Sequence, residues 1–279
     1  MAGTRIEVRV MVFRFPRVAL AIVGLAGVFV AAGCNSATPS ITDPNVVIDR
    51  SVSAAQAVKS VHVRVEVTGR VNTAALPGLN FGPFSLNLDL AGTAAEGDVD
   101  VSNQAADLKL TLPAPLGKGE VVVVGGSVYY KLGLLSGSQF TPGRVGDYIP
   151  GGLPSPAVIA GADPSAAIAA QTGELADLGA TEKLLATDKV NGSDAYHVSI
   201  SVPIASVNAL LAQNGSAVAG LQLDSASFDY WAYVDGVLPA QFEVKGSSAK
   251  LGTFDVTATL TNYNAAVTIS APAASEIGS

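Results

Sequence analysis

The sequence predicts an α+β fold, with helices laid against one long antiparallel sheet, and three observations lead there. Apolar and polar residues alternate with period 2 in one segment after another, as they do in strands with one wet face. Short Gly, Asn and Asp turns join these segments, which is the connection an antiparallel meander needs. Stretches with helical spacing interrupt the strands, yet no 20- to 50-residue repeat and no second break in composition divides the chain. One domain satisfies all three.

The chain has 279 residues, of which 49% are hydrophobic and only 6% aromatic, so Val, Ala and Leu carry the apolar content. That length buries a sizeable core without disulfides, and one Cys excludes both a disulfide framework and a multi-cysteine zinc site. With 23 acidic against 16 basic residues, the chain lacks the basic surface of a nucleic-acid binder. The apolar fraction is too high for a disordered chain.

The basic charges are concentrated at the start. Arg5, Arg9, Arg14 and Arg17 stand against Glu7, and the fifteen residues from Val18 to Ala32 carry no charge. A basic segment followed by a short apolar run is a secretory signal, and fifteen residues are few for a membrane span. Met11 lies just upstream and is a second candidate start. Small residues then lead to the single Cys in Ala31-Ala32-Gly33-Cys34, which resembles a bacterial lipobox. There the thiol receives a diacylglyceryl group and the Cys becomes the mature N-terminus. Asn35 to Asn45 is polar and rich in Ser, Thr and Pro, as a tether would be. The expected organisation is a signal peptide over 1–33, a lipidated Cys and tether over 34–45, and a folded domain over 46–279. With four Arg and Glu7 removed, the mature chain holds 12 basic and 22 acidic residues, a charge of −10. Anionic headgroups repel such a domain, so acyl chains must hold it at the membrane.

Val46 to Lys59 has helical spacing at Val47, Val52, Ala55 and Val58. Val61, Val63, Val65 and Val67 then alternate with His62, Arg64, Glu66 and Thr68, a half-buried strand. Phe84, Leu86, Leu88 and Leu90 alternate in the same way, as do Leu108, Leu110 and Leu112. Val121 to Val124 is a continuous apolar run that Gly125-Gly126 turns back into Ser127–Leu132, a hairpin signal. Gly133 to Pro156, rich in Gly, Pro and Ser, reads as a long loop. Asp163-Pro164 opens a second helical stretch with an N-cap and a Pro at the first helical position. Tyr196 to Val202 is a strand. Pro203 then opens a helix striped by Ile204, Val207, Leu210 and Leu211, before strands at 227–234, 240–245 and 254–260.

Catalytic residues are sparse. His62 and His197 fall on the polar phase of their strands, where an exposed surface role is expected. No G-x-S-x-G elbow, P-loop or H-E-x-x-H is present. Glu96, Asp98 and Asp100 share one strand face, but Asn103 stands where an EF-hand loop needs Gly, so a solvated acidic face is expected. Asn191-Gly192-Ser193 and Asn214-Gly215-Ser216 are read as turns. No enzymatic activity, cofactor or metal is expected. The positive signal is aliphatic surface on both sheet and helices, which serves either as a solid core or as the lining of a pocket for alkyl chains. Periodicity cannot separate these two.

The residues also resemble the LppX/LprG family of actinobacterial lipid-carrying lipoproteins, whose fold is similar to the periplasmic lipoprotein carrier LolA. The resemblance runs from about Pro44 to Ile277. It rests on Cys34 in its lipobox, Lys59-Ser60-Val61-His62, Val128-Tyr129-Tyr130-Lys131, and Val190-Asn191-Gly192 before Tyr196-His197-Val198. Tyr230-Trp231-Ala232-Tyr233-Val234-Asp235 with Leu238-Pro239 and the closing Val267–Pro272 complete it. Where the family carries Gly-x-Trp, this chain has Gly146-Asp147-Tyr148. The resemblance implies a single domain with a strongly curved antiparallel sheet, a half-barrel, whose concavity holds helices around an apolar cavity. It implies a multi-acyl lipid or glycolipid as ligand, transfer toward the outer envelope, and for some members a membrane exporter as partner. It places the protein on the outer face of a bacterial cytoplasmic membrane, held by palmitate-type acyl chains. The strand and helix phases nominate Val63, Val65, Leu88, Leu90, Leu110, Tyr130, Ile168, Val198, Ile200 and Leu210 as cavity lining. The alternative is an envelope scaffold or sensor with the same fold and a filled core.

Overall fold

A computed structural model describes residues 40–72, 87–113, 117–133, 138–144, 178–213 and 222–278. Helix α1 (Pro44–Ala55) opens the fold. Asp43 caps it, its Oδ1 accepting from the Asn45 N–H at 2.9 Å, and Pro44 fits the first helical position, where no N–H is needed. The helix ends four residues before the sequence suggests. Val58, beyond it, is instead buried with Val61 and Leu260 at the entry to the sheet.

The first half of the sheet runs through β1 (Ser60–Asn72), β2 (Asn87–Asp89), β3 (Thr93–Asp100), β4 (Ala105–Thr111), β5 (Lys118–Val124), β6 (Ser127–Leu132) and β7 (Thr141–Arg144). The second half has β8 (Thr181–Leu184), β9 (Asp188–Val190) and β10 (Ser193–Ser201), then helix α2 (Ile204–Gln213). It closes with β11 (Ser225–Tyr233), β12 (Pro239–Ser248), β13 (Gly252–Thr261) and a 3-10 turn at Ala274–Glu276. All pairings between these strands are antiparallel within one sheet, in the order β7-β6-β5-β4-β3-β1-β13-β12-β11-β10-β8, with β2 added to β1 and β9 to β10. Among the described residues the two ends of this order do not pair, so the sheet is unclosed, and it is curved.

Local residue choices fix the connections. Gly125 and Gly126 take φ of 58° and 76°, the two left-handed residues of a tight hairpin whose twist matches its strands. Asn191 and Gly192, at 50° and 81°, make the same turn between β9 and β10. At one point the backbones come unusually close: a Cβ on Gly97 of β3 would stand 1.8 Å from the Asp107 carbonyl oxygen of β4. Only glycine fits there.

The segment 133–156, expected to be a loop throughout, holds β7 in its described part, paired along β6. Pro142 is tolerated in it because β7 is an edge strand. The helix expected from Asp163 lies outside the described residues, as do Val18–Ala32, Cys34 and Asn214-Gly215.

Candidate functional site

Register across the sheet separates its two faces. On β1 the odd residues Val61, Val63, Val65 and Val67 point one way. The residues directly opposite them on β3 are Val99, Gly97, Ala95 and Thr93. The same face continues through Ala106, Leu108 and Leu110 of β4, Val121 and Val123 of β5, and Val128, Tyr130 and Leu132 of β6. On the other side of β1 it takes in Val256, Ala258 and Leu260 of β13, Phe242 and Val244 of β12, and Phe228 and Tyr230 of β11. From β6 across to β11 no charged side chain holds a register position on this face. Val198 and Ile200 of β10 and Leu184 of β8 extend it to the edge.

The opposite face carries the charge, and many of its charges are paired. Arg64 bridges Glu66 at 2.8 Å and Glu96 at 2.9 Å, and these carboxylates hold its guanidinium pKa above the ordinary value. Lys131 meets Glu120 at 3.0 Å, and Lys245 meets Glu243 at 2.7 Å. His62 Nδ1 lies 2.8 Å from Asp98, with Glu96 at 3.4 Å from its Nε2. His197 bonds Asp229 at 2.9 Å and stacks on Trp231 at 4.2 Å between ring centroids. Both histidines therefore lie on the polar face, as their phase indicates, but neither is a freely exposed side chain. Of the Glu96–Asp98–Asp100 row, Glu96 and Asp98 are engaged by Arg64 and His62, and Asp100 accepts from Asn103. Among the described residues no group of three His, Cys, Asp or Glu side chains is placed to hold a metal ion. Two grooves, of about 470 and 420 Å³, open beside polar-face residues: one near Arg64, Glu66 and Thr257, the other near Ser227, Lys245 and Ser247. Neither is the expected apolar cavity.

Cover over the apolar face is uneven. α1 lies across β8, β10, β11 and β12. Beneath it Val47, Tyr196, Val198, Tyr230 and Ala232 are buried together, and Ile200 packs against them. The Tyr230 hydroxyl donates to Ser51 Oγ, so this buried polar pair is satisfied, and burial pushes the phenol pKa up. α2 touches β11, and Asn208 on it holds both backbone groups of Leu223, at 2.8 and 3.0 Å. A second packed cluster joins Val58, Val61 and Leu260, with Val63 and Val99 against it. Farther across, Val65, Ala95, Leu108, Leu110, Val121, Tyr130 and Leu132 are all half-buried.

Of the ten residues nominated from sequence phase, Val63, Val65, Leu88, Leu110, Tyr130, Val198 and Ile200 share this one face. Leu90 is half-buried in the turn after β2, its N–H bonded to the Gly69 carbonyl at 2.9 Å. Val198 has no exposed surface, being core under α1. Ile168 lies outside the described residues, and of Leu210 only its place in α2 is described. Leu108, Val256 and Phe242 belong to the face but were not nominated. Their own alternation signals them, whereas Val121 sits in a continuous apolar run that conceals its phase. Among the described residues no helix is long and apolar enough to cross a membrane.

The model of a family described as LppX_LprAFG lipoprotein matches residues 43–269. Among solved structures, lipoprotein LppX of Mycobacterium tuberculosis is similar at 18% identity, covering 81% of this chain and 97% of its own, with a TM-score of 0.46. LprF of Mycobacterium bovis is similar at 19% identity, covering 82% and 97%, with a TM-score of 0.47. No curated protein matches the sequence significantly.

Proposed function

The chain belongs to the LppX_LprAFG lipoprotein family, and from that premise we propose that it is a non-enzymatic lipid carrier. Acyl chains on Cys34 hold it at the outer face of the bacterial cytoplasmic membrane. Its domain takes up the alkyl chains of a multi-acyl lipid or glycolipid and carries them toward the outer envelope, with the membrane or an exporter in it as donor. The observation that carries this reading is the uneven cover of the apolar face. That face is uncharged from β6 to β11 and solidly packed under α1, yet half-buried at most positions over β3 to β6, Val128 being the buried exception.

Such a face is suited to alkyl chains and to little else. It offers no charged partner for a polar ligand, and burying a polar group there unpaired costs free energy. Each methylene removed from water contributes about 0.8 kcal/mol, so a dozen contribute roughly 10 kcal/mol before the entropy of binding is subtracted. The two histidines are each held by a carboxylate, Asp98 and Asp229, on the opposite face.

Native mass spectrometry with lipid extraction, on residues 36–279 produced in a related bacterium, tests the proposal. One di- or triacyl lipid per chain is the expected result. A clean apo mass with no uptake on later incubation overturns it and favours an envelope scaffold or sensor.

A further inference from the structure

Ile41 is where the chain coming from the anchor meets the folded domain. It is buried, it belongs to the cluster of Val47, Tyr196 and Tyr230, and its N–H donates to the Tyr196 hydroxyl at 3.4 Å. Seven residue steps separate Ile41 from Cys34. Fully extended, they span at most about 25 Å. β1 alone has 13 residues, which at about 3.3 Å each make a strand roughly 43 Å long. A tether shorter than the sheet does not let the domain turn end over end.

Tyr196 marks one end of the sheet. Antiparallel register places beside it the Asn191-Gly192 turn, the β11–β12 turn at 234–237, and the start of β1 at Ser60. At the opposite end are the β12–β13 turn at 249–251 and the first residue of β5, Lys118. We propose that the end bearing Asn191-Gly192 and Asp235-Gly236 faces the bilayer that holds the anchor, and that the Lys118–Lys250 end points away from it. This rests on the anchoring of Cys34 in the reading above. Adhesion is not what holds the near end in place: Asp188, Asp194 and Asp235 are exposed there against Lys59 and Lys189. The length of the tether does. The same orientation puts α1 on the membrane side of the apolar face, with the half-buried strands β3 to β6 extending from that end to the far one.

Energy transfer from the protein to the bilayer surface tests this on the full lipidated chain in phosphatidylcholine vesicles containing a rhodamine-headgroup lipid. The diacylglyceryl thioether blocks the Cys34 thiol, so a single introduced cysteine is the labelling site. Donors at Asp235→Cys and Lys250→Cys stand about 30 Å apart along the strands. Transfer from the first should exceed that from the second by roughly threefold or more, and about ten Gly/Ser residues inserted after Ala37 should shrink the difference. Equal transfer, or stronger transfer from Lys250→Cys, overturns the orientation while leaving the anchor in place. A lipid-free mature chain, or a Cys34→Ala chain that still binds vesicles and gives the same contrast, overturns the anchoring and with it the tether as the cause of the orientation.

Discussion

Asp107 on β4 stands directly opposite Asp98 on β3, and its Oδ1 is buried with no hydrogen-bond partner. Desolvation, then the charges of Glu120 and Asp98, push its pKa above the ordinary 3.8, and Lys109 and Lys131 offset this only in part. A carboxyl whose folded pKa is raised binds its proton more tightly in the native state. The associated penalty is absent below the unfolded pKa and grows as pH rises through the folded one. Asp107→Asn should therefore stabilise the domain at neutral pH by about 0.5–1 kcal/mol, the scale of a like-charge pair directly opposed on a sheet. The gain should vanish about one unit below the ordinary 3.8, where Asp107 is protonated in the folded and the unfolded chain alike. Urea titrations at the two pH values check this, and a gain independent of pH would locate the cause in packing instead.

Strand elements are set by alternation, by turns, and by the few positions where backbones nearly touch. Gly97→Ala places a methyl where the Asp107 carbonyl oxygen already stands, so β3 and β4 must separate locally. The expected cost is about 2–4 kcal/mol, read as a fall in the urea midpoint. Gly92→Ala is the control: its Cβ meets nothing within 4 Å, and at φ +77° only the milder left-handed penalty applies. Much at this scale was legible beforehand. Val61 to Thr68 announces β1 and its phase, and Gly125-Gly126 announces a hairpin. The elements missed have no pattern to read: Asp188–Val190 has three residues, Thr181–Leu184 one apolar residue, and β7 lies in a Gly/Pro-rich stretch. Pairing with a neighbour, which sequence does not encode locally, is what makes them strands. The engagement of the two histidines was hidden for the same reason. Asp98 and Asp229 come from other strands, 36 and 32 residues away.

At the scale of the molecule, the same alternation places Val198 and Leu110 on one face, and no property of either residue in sequence distinguishes their surroundings. The structure does. Val198 is fully buried under α1 among Tyr196, Tyr230 and Val47, whereas Leu110 is half-buried between Ala95 and Gly119 on the far strands. Tryptophan at each position therefore asks two different questions. Val198→Trp inserts a large ring into close-packed core and should lose about 3 kcal/mol or more, or displace α1, because overpacking strains a tight interior. Leu110→Trp, by contrast, should fold with a urea midpoint close to that of the parent chain and lose lipid uptake, since the ring would occupy space proposed for alkyl chains. Denaturation and native mass spectrometry on both variants separate the cases. If Leu110→Trp is destabilised as severely as Val198→Trp, then strands β3 to β6 carry solid core and the carrier reading loses its pocket. If it folds and still takes up lipid, the chains bind on some other part of the face, with the uncharged strip over β13 and β12 the next place to fill.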